Sequence, residues 1–239
     1  MADWRPNNQQ IAEGRLKGAD MRGLALKGRN FRQADLSQAD LSGADLREAN
    51  FWSADLSGAN LEGANARLAT FQGANLSGAQ LSEANLWGAN FKVARLSGAV
   101  LVRANMSQAE LPGAECDGAN FSEVNLWHAI LRMASLKDAN MGKVELASAK
   151  MEQAVLDGAN LREADLSGAN LRGASLIGVD FSAATLRDTR FREADLSRAD
   201  FRDADLGDAN FDDARFDTTV MPDGSIESGP LHVWPPHTD

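Results

Sequence analysis

A large apolar residue occupies every fifth position from Leu16 to Phe216, through 41 consecutive units without an insertion or deletion. The central site is Leu, Phe or Met in all but two units, where Ala66 and Cys116 stand. Two positions earlier the residue is Ala in 34 of the 41. Asp or Asn usually sits between the two, as in Ala39-Asp40-Leu41, and Ser, Arg or Gly follow. No regular element has this period. On a helix five residues advance about 500°, which spreads the apolar sites around the axis instead of into a stripe. On a continuous strand the period of two sends alternate centres to opposite faces. A short extended segment followed by a corner fits. The small and large residues, two apart, then face inward together, and the Asp or Asn between them faces out towards the turn backbone. The last two residues turn the corner, where Gly supplies the positive φ that some turns need. Four such units make a square coil with a lap of 20 residues.

The ten phenylalanines test the lap, since all occupy central sites. Phe31, Phe51, Phe71 and Phe91 fall 20 apart, and Phe191 and Phe211 resume the column. Phe121, Phe181 and Phe201 fall in the column of the opposite wall.

These residues resemble the pentapeptide repeat family, whose loose consensus is A(D/N)LXX. The resemblance covers residues 14–218 and implies an all-β, right-handed quadrilateral β-helix. With strands stacked about 4.8 Å apart, about ten coils give a rod of about 50 Å. Residues 1–13 depart from the repeat and read as an N-terminal cap, with Asp3 or Asn8 starting a short helix. Residues 219–239 read as a C-terminal closure and extended tail. Pro222-Asp223-Gly224 signals a turn, and Pro230, Pro235 and Pro236 follow. This ending is similar to that of several cyanobacterial members.

Little in the chain points to chemistry. An active site needs a concavity with converging polar groups, usually built by loops, and an uninterrupted repeat provides no loop. Cys116 occupies a central site and reads as a buried, inert thiol. His128 stands alone at a corner, while His232 and His237 lie in the tail and supply only two ligands. The expectation is no enzyme, no cofactor and no metal. No apolar run approaches membrane-spanning length, and the start lacks a signal-peptide core, so a cytoplasmic chain without membrane contact is expected. A net charge of -10 argues against direct nucleic-acid binding.

Three functional readings follow. The first is a rigid scaffold whose outer walls bind a protein partner, because a long preformed surface gives contact area without ordering cost. The second comes from the resemblance: some members mimic duplex DNA, bind a type II topoisomerase (gyrase) and protect it from quinolones. Duplex DNA carries one charge per about 1.7 Å, so 50 Å holds about 29. This chain's net of -10 is a third of that, and its Pro-rich tail differs from the C-terminal dimerisation element of those members. The third is a structural rod, or a regulator of cell differentiation as some cyanobacterial relatives are.

Two surface features stand out. In the last coils like charges stack 20 apart, at Asp180 and Asp200, Asp188 and Asp208, Glu193 and Asp213. Solvent and Arg187, Arg190, Arg192 and Arg202 offset these pairs, or else the columns meet a basic partner or a cation. Secondly, between residues 87 and 155 the outward positions turn apolar at Trp87, Val93, Val100, Val102, Trp127, Ile130, Met133 and Val155. Folded by the 20-residue lap, Trp87 and Trp127 share one corner, Val93 and Met133 the next, and Ile130 lies on the wall between. Trp52 exits the same wall lower down, and Lys92 and Arg132 form a polar rim. These eight residues, Trp52, Trp87, Lys92, Val93, Trp127, Ile130, Arg132 and Met133, read as a partner-binding or homodimerisation patch.

Overall fold

The computed structural model describes residues 8–13 and 15–229. Its organising element is a ladder of parallel bridges. Each joins a residue to the one 20 positions later, from Arg15–Asp35 to Asp200–Val220. Every lap is tied to the next by backbone bonds on each wall. Leu41 N–H donates to Asn60 O at 2.7 Å, Gly43 N–H to Glu62 O at 2.9 Å, and Asn60 N–H to Ala39 O at 2.9 Å. The walls are too short for long strands, and the two strands among the described residues, β1 (Thr219–Val220) and β2 (Ile226–Glu227), lie beyond the repeat.

Each corner is a four-residue turn, closed in the unit at Leu41 by Ala44 N–H donating to Leu41 O at 3.0 Å. The residue two after the centre has positive φ in all 41 units, 16 of them Gly and 25 not. With the preceding residue outside that region, the turns are type II. Sequence reasoning expected Gly because some corners need this conformation; every corner does. A non-Gly residue there costs about 1–2 kcal/mol. The ladder holds it in place, since the same residue's N–H is committed to the next lap, as Glu48 N–H is to Arg67 O at 2.9 Å.

The inward and outward faces follow the alternation expected. All central residues from Leu16 to Phe216 are buried, with the Ala columns beside them. The Phe columns stack face to face: Phe31–Phe51, Phe51–Phe71 and Phe71–Phe91 have ring centroids 5.0, 4.9 and 4.8 Å apart. Phe181 and Phe191, from opposite walls, meet edge to face at 6.0 Å. Thr189 replaces Ala in the core, and its hydroxyl donates to Leu166 O at 2.9 Å. Outside, the Asp or Asn carboxyl or amide oxygen accepts the N–H two residues on, as Asp40 does from Ser42 at 3.0 Å and Asn60 from Glu62 at 3.0 Å.

Helix α1 (Asn8–Glu13) precedes the first lap, starting at one of the two positions expected; Asp3 lies outside the described residues. At the other end the ladder outlasts the consensus. Val220 pairs with Asp200, and Met221 fills one more central site, fully buried. The Pro222-Asp223-Gly224 turn then returns β2 antiparallel to β1, with Val220 opposite Ile226. Residues 230–239, including His232, His237 and the three prolines, lie outside the described residues.

Arginines meet the acids in two of the three stacked pairs of the last laps, Asp180–Asp200 and Glu193–Asp213. Arg172 and Arg192 approach Glu193 at 2.9 and 3.5 Å, Arg192 reaches Asp213 at 3.6 Å, and Arg202 pairs with Asp200. The Arg172 hydrogen bonds hold Glu193 below the usual carboxylate range, as Arg202 does for Asp200 and Arg187 for Asp205. Hydrogen bonds from Arg47 bring Asp45 to about 2. Depressed carboxylate pKa values give stability that is present above the unfolded value and lost as pH falls through the folded one. The melting temperature is therefore expected to be flat from neutral pH to about 5 and to fall below about pH 4. Thermal melts across pH check this, and a protein that gains stability on acidification contradicts it.

Candidate interaction wall

The square section gives four walls with a two-residue corner on each side. One wall carries the outward residues Thr70, Asn90, Glu110 and Ile130 at 20-residue intervals. Its leading corner holds Leu68, Trp87 and Trp127, and its trailing corner Trp52, Val93 and Met133. Among the described residues, the large hydrophobic side chains of the coil that are exposed are Leu68 at 51%, Val93 at 53%, Trp127 at 45% and Met133 at 63%. All four flank this one wall. Trp52, Trp87 and Ile130 are half-buried beside them, and Lys92 and Arg132 are exposed. The structure thus brings together all eight residues singled out from the sequence, with Trp52 at the corner and not on the flat of the wall.

Local contacts fix these side chains. Asn85 and Asn125 cap the turns that carry Trp87 and Trp127, accepting their N–H groups at 3.3 and 2.9 Å. The Arg67 guanidinium lies over the Trp87 ring at 4.9 Å, and that of Arg32 over Trp52 at 4.3 Å. His128, expected to stand alone, packs edge to face on Trp127 with ring centroids 3.9 Å apart. Arg132 donates to both Glu152 oxygens at 3.0 and 3.1 Å. Val93 has φ of 51°, a conformation that a β-branched residue rarely occupies.

Leu68 was missed by sequence reasoning, which searched for outward apolar residues only from Trp87 onward. Its position in the repeat, two after a centre and one lap below Gly88, was the available signal. A side chain on Gly88 would meet Leu68 Cδ2 at 2.9 Å, so this glycine leaves the space that Leu68 fills. Val100, Val102 and Val155 do not join the cluster; they are half-buried on other parts of the section.

Concavity is slight. One depression, lined by Glu152, Gln153, Arg172, Gly173 and Glu193 further along the trailing corner of this same wall, is bordered by the Arg172–Glu193 ion pair. Cys116 is fully buried, and burial, with Asp117 and Glu115 nearby, pushes its thiol far above the ordinary value. Among the described residues no group of three or more His, Cys, Asp or Glu is placed to hold a metal ion, and no helix is long and apolar enough to cross a membrane.

The chain's similarities agree with this architecture. No curated protein matches it. Among solved structures, HetL, a pentapeptide repeat protein involved in heterocyst differentiation regulation from the cyanobacterium Nostoc sp. strain PCC 7120, is 31% identical, with a TM-score of 0.51. That match covers 92% of this chain and 97% of HetL. QnrB1, a plasmid-mediated fluoroquinolone resistance protein, has a TM-score of 0.65 at 22% identity, over 83% of this chain and 92% of its own, a likeness of fold alone. These relatives are right-handed quadrilateral β-helices. A family model described as pentapeptide repeats matches in eight copies, through segments running from 15–52 to 180–217. A repeat matched from residue 15 to residue 217, on a 20-residue parallel coil, makes this chain a member of the pentapeptide repeat family.

Proposed function

We propose that this protein is a non-enzymatic rigid scaffold that binds a protein partner through the Ile130 wall and its two corners. The observation that carries this reading is the gathering of Leu68, Val93, Trp127 and Met133, the exposed large hydrophobics of the coil, around one wall of four. Exposed apolar side chains gathered on one face favour a contact surface, and Trp is a preferred anchor. The proposed working unit is residues 14–218 as a rod of about ten coils and about 50 Å, with residues 1–13 and 219–239 protecting its ends. HetL's involvement in differentiation regulation suits a rod that acts by contact, and a regulatory partner of that kind is the context proposed here.

DNA mimicry is the weaker reading. The net charge of -10 is sparse for a duplex of this length, and arginines pair with many of the stacked acids. It predicts an effect on gyrase supercoiling, whereas the scaffold reading predicts none.

The test is a Trp87→Ser, Trp127→Ser, Met133→Ser variant, compared with wild type for melting temperature, self-association and partner capture from the source organism. Capture is expected to fall at least tenfold with melting little changed. Unchanged capture and self-association place the binding face elsewhere.

A further inference from the structure

The apolar wall is also basic, in a molecule whose net charge is -10. Counting this wall with both corners, between residues 27 and 193, twelve Lys or Arg stand against five Asp or Glu, an excess of seven positive charges. The opposite wall with its corners, between residues 17 and 203, has eight against twelve. The basic excess is densest beside the first aromatic anchors. From residue 27 to residue 93 this wall carries Lys27, Arg29, Arg32, Arg47, Arg67 and Lys92 against Glu48 alone.

We infer that the wall docks an acidic segment of a partner protein, one that interleaves carboxylates with apolar side chains. This deepens the scaffold reading and rests on it. Lys27 is paired with Glu48 at 3.1 Å and Arg47 with Asp45 at 2.6 Å. Arg32 and Arg67 instead lie over Trp52 and Trp87. A guanidinium stacked on an indole keeps its N–H edge free, and that edge matches a carboxylate in bidentate fashion. Each Arg–Trp stack therefore offers a carboxylate site beside an apolar anchor. One stack lies on each corner, with the small polar residues Asn50, Thr70 and Asn90 between them. From residues 27–33 to residues 127–133 is five laps, about 24 Å, which an extended segment of about seven residues spans.

Two other occupants fit less well. A long polyanion following the same wall meets Asp208, Asp212 and Asp213 on the last lap. A second copy paired through this wall sets two basic surfaces against each other.

The experiment uses the full chain and an eight-residue synthetic peptide alternating Glu with Leu and Phe, titrated by calorimetry at low and high salt. Comparison probes are the same peptide with Lys for Glu, a 20-base-pair DNA duplex and phosphatidylserine vesicles, with sedimentation to read self-association. The acidic peptide is expected to bind, to weaken with salt, and to lose at least tenfold in affinity in Arg32→Glu, Arg67→Glu. A neutral Arg32→Gln, Arg67→Gln variant is expected to lose less, and Arg103→Glu, Arg162→Glu on the far side nothing. No binding of the acidic peptide, equal loss in the far-side variant, tighter binding of the duplex or vesicles, or self-association through these arginines overturns the inference. If the Trp87, Trp127, Met133 variant loses its cellular partner while the Arg32, Arg67 variants keep it, the docking wall stands and its acidic occupant falls.

Discussion

Truncating Phe71 to Ala is expected to cost about 3–5 kcal/mol. The ring is fully buried and stacked on both sides, at 4.9 Å from Phe51 and 4.8 Å from Phe91. Its loss removes the transfer energy of the ring and leaves a cavity with rigid walls. The laps above and below are fixed by backbone bonds, among them Phe71 N–H to Asn90 O at 2.7 Å, so they cannot close on the gap. Chemical denaturation of the variant measures the cost. A loss below about 1 kcal/mol means that the column relaxes, and the rigid-coil account of the core fails.

Glu123→Pro is expected to cost about 3 kcal/mol or more and to divide the melt into two transitions. Glu123 has φ of 59°, which the proline ring cannot adopt, and its N–H donates to Gly142 O at 3.0 Å. Proline removes the bond and distorts the corner together. In a stack where each lap touches only its neighbours, a fault near the middle uncouples the two halves. Glu123→Gly is the control: it deletes the same side chain, keeps the N–H and suits the positive φ, so it is expected to melt at or above wild type. Equal behaviour of the two variants shows that the corner conformation is not what the ladder depends on.

The sequence by itself determined the lap, the inward columns and the outward capping residues. Each of these follows from a period repeated 41 times, and a one-residue slip would turn every Leu or Phe to solvent. The same arithmetic placed Trp87 above one corner and Met133 above the next, so most of the candidate wall was legible before any coordinates. Other features needed the tertiary structure. Positive φ at Val93 or Leu68 is disfavoured locally, and it is held only because the N–H of each is bonded to the following lap, Leu68 to Trp87 O and Val93 to Pro112 O, both at 3.0 Å. The ladder's extension to Val220 and Met221 depends on pairing with Asp200, which a consensus ending near residue 218 does not reveal. Leu68 joins the wall because Gly88, one lap on, leaves room for it. Charge is divided the same way. Composition sets the net of -10 and two-residue spacing sets local pairs such as Arg47 with Asp45, but which arginine covers a tryptophan and which crosses to a carboxylate on another lap is decided between laps, where long side chains reach neighbours 18 to 21 residues away, as Arg187 reaches Asp205 and Arg172 reaches Glu193.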